Sequence, residues 1–370
     1  MKTKVFTVLL LIVLLLAGCS SSGAADSDVQ SRDANAPNEP VVYTTIYPVY
    51  ALTEAVAGNV VEVRVALPFG VDPHDFEPSA KLIGEMSKAD VVFYNGLAME
   101  PWLERAYDSF VDNGVMMINL SEAVEPIPFS GHISHDEDCD ETHDANHAEK
   151  CGAAHDADHA EKCDAAHDAD HAEKHHEEHD ADHVVNHDHE GHQHGNLDPH
   201  IWQDPLNAMA MVDTIYATLN EKCSPQSEAQ LLANYKATKR KLTALDESYR
   251  TALDGLARRE IVVGHAAFGY LCHRYELQQI AVAGLSTHDE PSAALIAQIA
   301  DLSEEHGVKV VFYDALGSDK LAKVVADEIG VALKPLNPIG VITTEQLESG
   351  EDYFTLMEEN LQAIRAALTN

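Results

Sequence analysis

The chain has 370 residues, of which 62 are Asp or Glu and 24 are Lys or Arg, and its formal net charge at pH 7 is −38. Such a charge excludes nucleic acid as a partner and draws cations towards the protein. The length is sufficient for two α/β lobes.

The N-terminal segment has the pattern of a lipoprotein signal peptide. It combines the basic start Met1-Lys-Thr-Lys with a short apolar run from Val8 to Leu16 and with small residues before Cys19. We predict that residues 1–18 are removed and that Cys19 carries lipid, which anchors the protein to the outer face of a bacterial cytoplasmic membrane or leaves it in a periplasm. The apolar run is too short to span a bilayer. The composition of residues 19–40 predicts a flexible tether.

Short β-rich runs alternate with helical runs from residue 41 onward, and this alternation predicts a parallel sheet. The predicted strands are Val41 to Thr45, Val60 to Leu67, Asp90 to Tyr94 and Val115 to Asn119, and the predicted helices are Val49 to Ala57, Ser79 to Lys88 and Pro101 to Phe110. We assign residues 41–222 to an N-terminal lobe.

From position 135 to position 187, every fourth residue is a histidine or a cysteine. The series consists of His135, Cys139, His143, His147, Cys151, His155, His159, Cys163, His167, His171, His175, His179, His183 and His187. The residues between them are mostly Asp, Glu and Ala, so the segment offers imidazole, thiolate and carboxylate groups, which bind divalent transition metals. It has too few large apolar side chains to offset the entropy of ordering. We therefore predict a disordered or metal-ordered insert over residues 130–195 that binds metal ions, and the alternative is a solvated spacer.

A long helical pattern follows the insert. After a helix from about Leu206 to Glu221, polar and apolar residues keep helical register from about Ser224 to Leu256. We predict a connecting helix over residues 223–257, and a helix of roughly 30 residues spans roughly 45 Å, which is long enough to run along two lobes.

The strand and helix alternation is repeated in residues 258–370, which we assign to a C-terminal lobe. The predicted strands are Ile261 to Val263, Gln278 to Val282, Val308 to Tyr313 and Ala332 to Leu336, and the predicted helices are Ala267 to Tyr275, Pro291 to His306, Ser318 to Ile329 and Asp352 to Leu368. The predicted fold is α/β, with two small doubly wound parallel-sheet lobes joined by a long connecting helix. Ligands of such folds bind at the carboxyl ends of the strands, so the interlobe cleft is the predicted site.

Apart from Cys19 and the three cysteines of the insert, two cysteines remain, Cys223 and Cys272. They form a possible disulfide, because exported proteins commonly pair their cysteines.

Three histidines lie where this layout predicts a ligand. His74 lies in the loop after the strand that ends at Leu67, His200 lies in the segment after the insert, and His265 follows the strand that ends at Val263. Three neutral imidazoles around one point suit Zn²⁺ and leave a fourth position for water or a carboxylate. An Asp-Pro pair directly precedes each of the first two histidines. The proline restricts the backbone, and the Asp carboxylate can accept a hydrogen bond from the second N–H of the imidazole ring. We assign the remaining histidines to the surface: His273, His288 and His306.

These motifs resemble those of the zinc- and manganese-binding proteins of bacterial ABC importers, over nearly all of residues 41–368. The matching segments are Pro73-His-Asp-Phe-Glu-Pro78, Asp198-Pro-His-Ile-Trp-Gln-Asp-Pro205, Gly264-His-Ala-Ala-Phe-Gly-Tyr270, Glu290-Pro-Ser292 and Val311-Phe-Tyr-Asp-Ala-Leu316. The resemblance implies His74, His200 and His265 as metal ligands, and His265 favours the zinc branch, because manganese members have Glu there. It also implies a fourth ligand, an Asp after the last strand, where this chain has Asn337. We expect Asn337 to bind weakly through its amide oxygen, to hold a metal-bound water, or to take no part.

The resemblance implies a lipid-anchored extracytoplasmic protein that captures Zn²⁺, with Mn²⁺ as a less favoured ligand, and delivers it as a monomer to the membrane permease of an ABC importer, without catalysis. Two alternatives stay open. Three-histidine zinc sites also occur in hydrolases, for which Asp75 and Asp314 are loose candidates as the general base. A metal buffer or surface adhesin would instead rely mainly on the insert.

Overall fold

The protein is described here by a computed structural model, which covers residues 39–129, 197–284 and 292–369. The predicted signal peptide, Cys19, most of the tether, the metal-binding series of the insert and His288 lie outside these described residues. Within them, no helix is long and apolar enough to cross a membrane.

The N-terminal lobe is a four-stranded parallel sheet with flanking helices. Its elements are β1 (Val42–Thr44), α1 (Tyr47–Ala57), β2 (Val63–Val65), α2 (Ala80–Met86), β3 (Val91–Tyr94), α3 (Leu103–Asp112) and β4 (Met116–Asn119). The strand order is β2-β1-β3-β4, and every neighbouring pair is parallel. This order places the topological switch point, where adjacent loops diverge, between the carboxyl ends of β1 and β3.

Two helices follow the insert and join the lobes: α4 (Pro205–Lys222) and α5 (Glu228–Leu253). The 26 residues of α5 span about 39 Å. Asn234 on α5 donates a hydrogen bond to the Val56 carbonyl of the N-terminal lobe at 3.1 Å, and the Tyr249 hydroxyl donates to the Met357 carbonyl of the C-terminal half at 2.7 Å. The helix therefore contacts both halves of the protein, as the sequence predicted.

The connecting helix is shorter than predicted at its N-terminal end. The Ser224 and Ser227 hydroxyls both donate to the Glu39 carboxylate, at 2.5 and 2.7 Å. Because these side chains hold the backbone of residues 224–227 in a turn before the helix, α5 begins only at Glu228.

The C-terminal lobe repeats the architecture of the first. Its elements are β5 (Glu260–His265), α6 (Gly269–Tyr275), β6 (Gln278–Ala283), α7 (Ala293–Glu305), β7 (Val310–Asp314), α8 (Lys320–Ile329), β8 (Ala332–Leu336), α9 (Thr344–Ser349) and α10 (Tyr353–Thr369). The parallel strands have the order β6-β5-β7-β8, so the switch point lies between β5 and β7. The predicted two-lobed parallel fold is confirmed. The short helix α9 was not predicted. It begins with a capping box formed by Thr343 and Gln346.

The two lobes share a continuous hydrophobic core, and Trp202 lies in the middle of it with 0% of its surface exposed. Its indole Nε1 donates to the Pro338 carbonyl at 2.9 Å, and its own carbonyl accepts from the Tyr353 hydroxyl at 2.7 Å. The Gly70 amide of the N-terminal lobe donates to the Ile342 carbonyl at 2.9 Å. These bonds cross between the lobes and oppose a wide hinge motion.

The possible disulfide between Cys223 and Cys272 is not present, and both residues are free thiols. Cys223 follows α4 and lies against Glu39, whereas Cys272 is buried within α6. Burial raises the pKa of both thiols, which keeps them protonated and unreactive.

Candidate metal site

The first histidine of the interlobe cleft, His200, is fixed by its own sequence motif. The Asp198 carboxylate accepts hydrogen bonds from the His200 backbone N–H and from its ring Nδ1, both at 2.9 Å. Both residues are buried, with 2% and 0% of the side chain exposed. A ring that donates through Nδ1 keeps the lone pair of Nε2 free for a metal ion. The carboxylate partner that the sequence suggested is therefore present at His200.

The Asp198 carboxylate occupies space that only a glycine at the start of α6 leaves open. A Cβ atom on Gly269 would collide with Oδ2 of Asp198. In the part of the chain that the structure describes, this oxygen has no hydrogen-bond partner. A buried carboxylate without a compensating cation is unfavourable, so the position gains stability when a positive charge enters the neighbouring cleft.

The second histidine, His74, comes from the loop between β2 and α2. Its backbone N–H donates to the Asp72 carboxylate at 2.9 Å, which repeats the turn seen at His200. Here the Asp72 carboxylate orders the His74 backbone but makes no hydrogen bond to the His74 ring. Burial, followed by the proximity of His200, lowers the pKa of His74 to about 4. The imidazole is therefore neutral at pH 7, as a metal ligand must be.

The third histidine, His265, is the last residue of β5. Burial is the main cause that lowers its pKa well below the usual value, and His200 and His74 add to the effect. Strands β5 and β7 pair with Val262 opposite Val311 and Val263 opposite Phe312, and this register places Asp314 opposite His265. Oδ2 of Asp314 lies 3.8 Å from Nδ1 of His265. The candidate ligand His265 of the C-terminal lobe is thus at the topological switch point of its sheet.

The three histidines converge on one small cavity. The ring centroids of His74 and His200 are 5.5 Å apart, and those of His200 and His265 are 5.8 Å apart. A tetrahedral zinc ion with Zn–N bonds near 2.0–2.1 Å requires ring centroids about 5 Å apart. No three His, Cys, Asp or Glu side chains of the described residues are already gathered tightly enough to hold an ion. Metal binding therefore has to draw these rings inward by less than about 1 Å.

The cavity has a volume of about 20 Å³, which is room for one ion or one water molecule. Its wall combines the three imidazoles with residues of both lobes: Asp72, Pro73, Trp202, Asp314, Pro338, Gly340 and Val341. The site is therefore too small for an organic ligand, and its donors are those of a transition-metal ion.

Asp314 is the site residue that the sequence reasoning undervalued, because it was considered only as a candidate base of a hydrolase. Burial raises the pKa of its carboxyl group to about 6, and the nearby Asp72 contributes to this rise. His265 and Asp314 lie at equivalent positions, at the ends of neighbouring strands. This equivalence is the feature that points to Asp314, and it can be recognised only once the strand order is known.

Asn337 is not part of the cavity wall. Its side-chain oxygen accepts a hydrogen bond from the Ile339 backbone N–H at 2.8 Å, and its backbone N–H donates to Asn360 at 2.9 Å. Ile339 has a φ of 61°, in the left-handed region that an Ile seldom adopts. The amide of Asn337 therefore shapes the turn that carries Pro338 and Gly340 to the cleft.

The buried carboxylate of Glu100 is linked by hydrogen bonds to the loop that carries His200. Glu100 is 5% exposed, and its side chain accepts hydrogen bonds from the Thr45 hydroxyl at 2.5 Å and from the Asn95 backbone N–H at 2.8 Å. The Asn95 amide in turn donates to the Pro199 carbonyl at 2.9 Å. Since Pro199 precedes His200, this network fixes the backbone of the ligand loop.

Two of the histidines that we assigned to the surface lie away from the cleft. His273 is exposed on α6, and His306 follows α7 with its ring nitrogen 3.3 Å from Glu260. Neither lines the cavity.

Two parallel-sheet lobes that share a long helix and enclose a cavity of atomic size define a two-lobed binding protein with its ligand position in the cleft. The chain belongs to the family described as ZnuA, zinc-uptake complex component A, periplasmic, whose sequence profile matches residues 42–367. This is a family of transport proteins that bind a substrate and not of enzymes, which removes the hydrolase alternative.

Individual relatives have the same character. The chain is 30% identical to the high-affinity zinc uptake system protein ZnuA of Bacillus subtilis, over 96% of this chain and 94% of the relative. It is also 30% identical to the zinc-binding protein AdcA of Streptococcus pyogenes over 95% of this chain, but it spans only 61% of that relative's length. The solved Zn(II)-bound ZnuA-like domain of Streptococcus pneumoniae AdcA matches with a TM-score of 0.65 and 26% identity, covering 90% of this chain and 100% of the domain.

Proposed function

We propose that this protein is the extracytoplasmic substrate-binding component of a bacterial zinc importer, with His74, His200 and His265 as the ligands of one transported Zn²⁺. The observation that carries the proposal is the convergence of these three imidazoles, from two lobes, on a cavity of about 20 Å³. Nitrogen donors in a tetrahedral arrangement suit zinc. The names of the relatives, which refer to zinc binding and zinc uptake, support the same ion.

The electrostatics of the cleft favour capture of a divalent cation. Burial lowers the pKa of His74 and of His265, so these rings do not have to release protons before they bind at pH 7. Asp198, Asp72 and Asp314 surround the imidazoles with carboxylates. The net charge of −38 adds a long-range attraction for cations.

Release requires a partner, because hydrogen bonds such as those of Trp202 and Gly70 fasten the lobes to each other. We infer that the partner is the membrane permease of an ABC importer, which separates the loops around His74 and His265, and that the protein works as a monomer. Differential binding of the permease to an opened form would supply the energy for release.

We also propose that lipid on Cys19 holds the protein at the outer face of the membrane. The motif before Cys19 supports this, since small residues precede the cysteine directly after the apolar run. Replacing Cys19 by Ala should move the protein from the membrane fraction to the soluble fraction of cells. A Cys19→Ala variant that stays with the membrane would contradict lipid attachment.

We assign the insert over residues 130–195 an accessory role, in which its repeated His and Cys residues bind further ions reversibly and raise the local zinc concentration near the cleft. A metal buffer or surface adhesin would instead depend on the insert for nearly all metal binding.

The triple variant His74→Ala, His200→Ala, His265→Ala tests the proposed site. Competition titration with a chelator should show that the triple variant loses the tightest zinc equivalent and keeps only weak binding. The single exposed-residue variant His273→Ala is the matched control and should bind as the parent does. If the triple variant retains the tight equivalent, the proposed site is wrong.

A further inference from the structure

The three imidazoles account for only part of a zinc coordination shell. A four-coordinate ion needs one more donor in addition to His74, His200 and His265, and this donor comes from the protein or from water. The cavity of about 20 Å³ has room for about one ion. A donor that is already part of the cavity wall would complete the shell without a further bound molecule.

Asn337 does not fit this position. Its side-chain oxygen is the acceptor for the Ile339 backbone N–H, and its backbone groups bond with the side chain of Asn360. Turning the amide towards the cleft would leave the Ile339 N–H, which is buried, without this partner.

Asp314 has both the position and the carboxylate oxygen that a ligand needs. One carboxylate oxygen, Oδ1, accepts from the Leu316 backbone N–H at 3.2 Å. The other, Oδ2, lies 3.8 Å from Nδ1 of His265, which is too long for a hydrogen bond, and the Gly317 backbone N–H also lies near the carboxylate. The turn from Asp314 to Gly317 is closed by a hydrogen bond from the Gly317 N–H to the Asp314 carbonyl at 3.0 Å, and a Cβ on Gly317 would lie only 3.0 Å from the Cβ of Asp314.

The position of the two wall carboxylates favours Asp314 over Asp72. Each uses Oδ1 to accept a backbone N–H of its own turn, but only Asp314 has its second oxygen near an imidazole ring of the cleft, that of His265. Asp314 ends β7 directly beside the strand that carries His265, so both would contact the same ion from one rigid sheet edge.

We propose that Oδ2 of Asp314 is the fourth ligand of the transported Zn²⁺, so that the site has three nitrogen donors and one carboxylate oxygen. This inference rests on the proposed function, since it assumes that the three histidines bind the same ion. The C-terminal lobe then contributes two ligands, His265 and Asp314, from adjacent strands, and the N-terminal half contributes the other two, His74 and His200. No solvent molecule occupies the shell of the closed site.

The test uses the full mature chain with one equivalent of Zn²⁺ or Co²⁺, and compares Asp314→Ala and Asp314→Asn with the parent. Chelator competition should show zinc affinity reduced at least roughly tenfold in both variants. Asn337→Ala and Asp72→Asn are the matched controls, and each should lose less. Circular dichroism confirms that each variant is folded, and Asp314→Asn preserves the shape of the side chain if Asp314→Ala does not fold.

The Co²⁺ absorption spectrum separates a ligand from a residue that merely orients His265. A coordinated Asp314 leaves no exchangeable position, so added azide should not change the spectrum of the parent. In Asp314→Ala a water replaces the carboxylate, azide should then alter the spectrum, and added formate should restore part of the lost affinity. The His200→Ala variant supplies the background from ions bound elsewhere in the chain.

Two results would overturn the assignment of Asp314. One is an affinity within twofold of the parent in both variants. The other is an equal response to azide in the parent and in Asp314→Ala, which would mean that water already holds the fourth position. Either result leaves the three-histidine site intact, whereas tight binding in His200→Ala would refute the proposed function itself.

Discussion

The two lobes have the same strand order but use the same topological position differently. In the C-terminal lobe, the ends of β5 and β7 present His265 and Asp314 to the cleft. In the N-terminal lobe, the residues that follow β1 and β3, Thr45 and Asn95, enclose the carboxylate of Glu100 instead.

Because Glu100 fills the switch point of the N-terminal lobe, the proposed ligands of this lobe lie in loops. Those loops need local devices that a strand end does not need, namely the Asp-Pro-His turns at His74 and His200 and the hydrogen bond from Asn95 to Pro199. The same fold can therefore build one half of a site from rigid strands and the other half from loops that buried polar groups hold in place.

The largest expected effect is the loss of a central ligand. His200→Ala should weaken the tight zinc site by more than roughly 100-fold, a larger cost than that of removing an outer partner of a ligand. His265→Ala should cost a similar factor if both halves of the cleft share the ion. Chelator competition measures both, and a large loss in His200→Ala with none in His265→Ala would place the ion in the N-terminal lobe alone.

A smaller effect is expected for the carboxylates of the two Asp-Pro-His turns. Asp198→Ala removes the acceptor of both the backbone and the ring of His200, so zinc affinity should fall roughly 10- to 100-fold. Asp72→Ala removes only the hydrogen bond to the His74 backbone, so the loss of zinc affinity should be smaller. Equal losses measured by competition titration would show that ring orientation does not distinguish the two turns.

The buried network of Glu100 should affect folding more than binding. In Glu100→Gln one oxygen acceptor becomes an amide donor opposite backbone N–H groups, so the free energy of unfolding should fall by about 1–3 kcal/mol. Zinc affinity should fall by less than roughly tenfold, because only the backbone next to His200 shifts. Urea unfolding of the metal-free protein measures the first effect, with the exposed Glu104→Gln as control. An unchanged free energy of unfolding would show that the hydrogen bonds of Glu100 do not stabilise the fold.

Acid should separate the cleft from the insert. Burial lowers the pKa of His74 to about 4 and lowers the pKa of His265 well below its usual value, so protons compete with zinc at these two rings only below the pH range in which an ordinary imidazole is protonated. Imidazoles with an ordinary pKa near 6.5, which we expect in the insert, become charged between pH 7 and pH 5. Zinc stoichiometry by equilibrium dialysis should therefore fall to the single tight equivalent at pH 5, and loss of that equivalent before the weaker ones would contradict the order.

The same shifts affect the metal-free fold. An unfolded His74 takes up a proton as the pH falls below about 6.5, whereas the folded one stays neutral until about pH 4. Because the unfolded state then binds more protons, the stability of the metal-free protein decreases as the pH falls through this window.

The smallest effect on the tight site is expected from deleting residues 135–194. The deletion should leave one tight zinc equivalent with unchanged affinity and should reduce zinc uptake by cells only when zinc is scarce. A deletion variant that binds no zinc tightly would show that the insert supplies a ligand, and the separation of insert and cleft would be wrong.

The sequence predicted those features that short segments determine. The Asp-Pro-His motif contains both the ring and its turn, so the backbone turns at His74 and His200 were predictable from neighbouring residues. The predicted bond from the carboxylate to the ring is present at His200. The alternation of strands and helices likewise predicted two parallel sheets, and the structure confirms them.

Long-range pairing determined what the sequence could not predict. The contact of Asp314 with His265 depends on which strand lies beside β5, and the role of Glu100 depends on Thr45, 55 positions away in the chain. For Asn337 the family resemblance left three roles open, and the hydrogen bond from the Ile339 N–H to its side chain, which depends on the turn geometry, favours no part in the metal shell. Neither register nor turn geometry is encoded in the identity of the single residue.

We propose that one zinc ion is bound between the lobes by His74, His200 and His265. A crystal structure of the zinc-loaded protein, with anomalous scattering measured at the zinc edge, tests this binding mode most directly. We expect one strong anomalous peak in the cleft, within about 2.0–2.1 Å of a nitrogen atom from each of the three imidazoles. A strong peak that is bonded to imidazoles of one lobe only, or to residues of the insert instead, would contradict it.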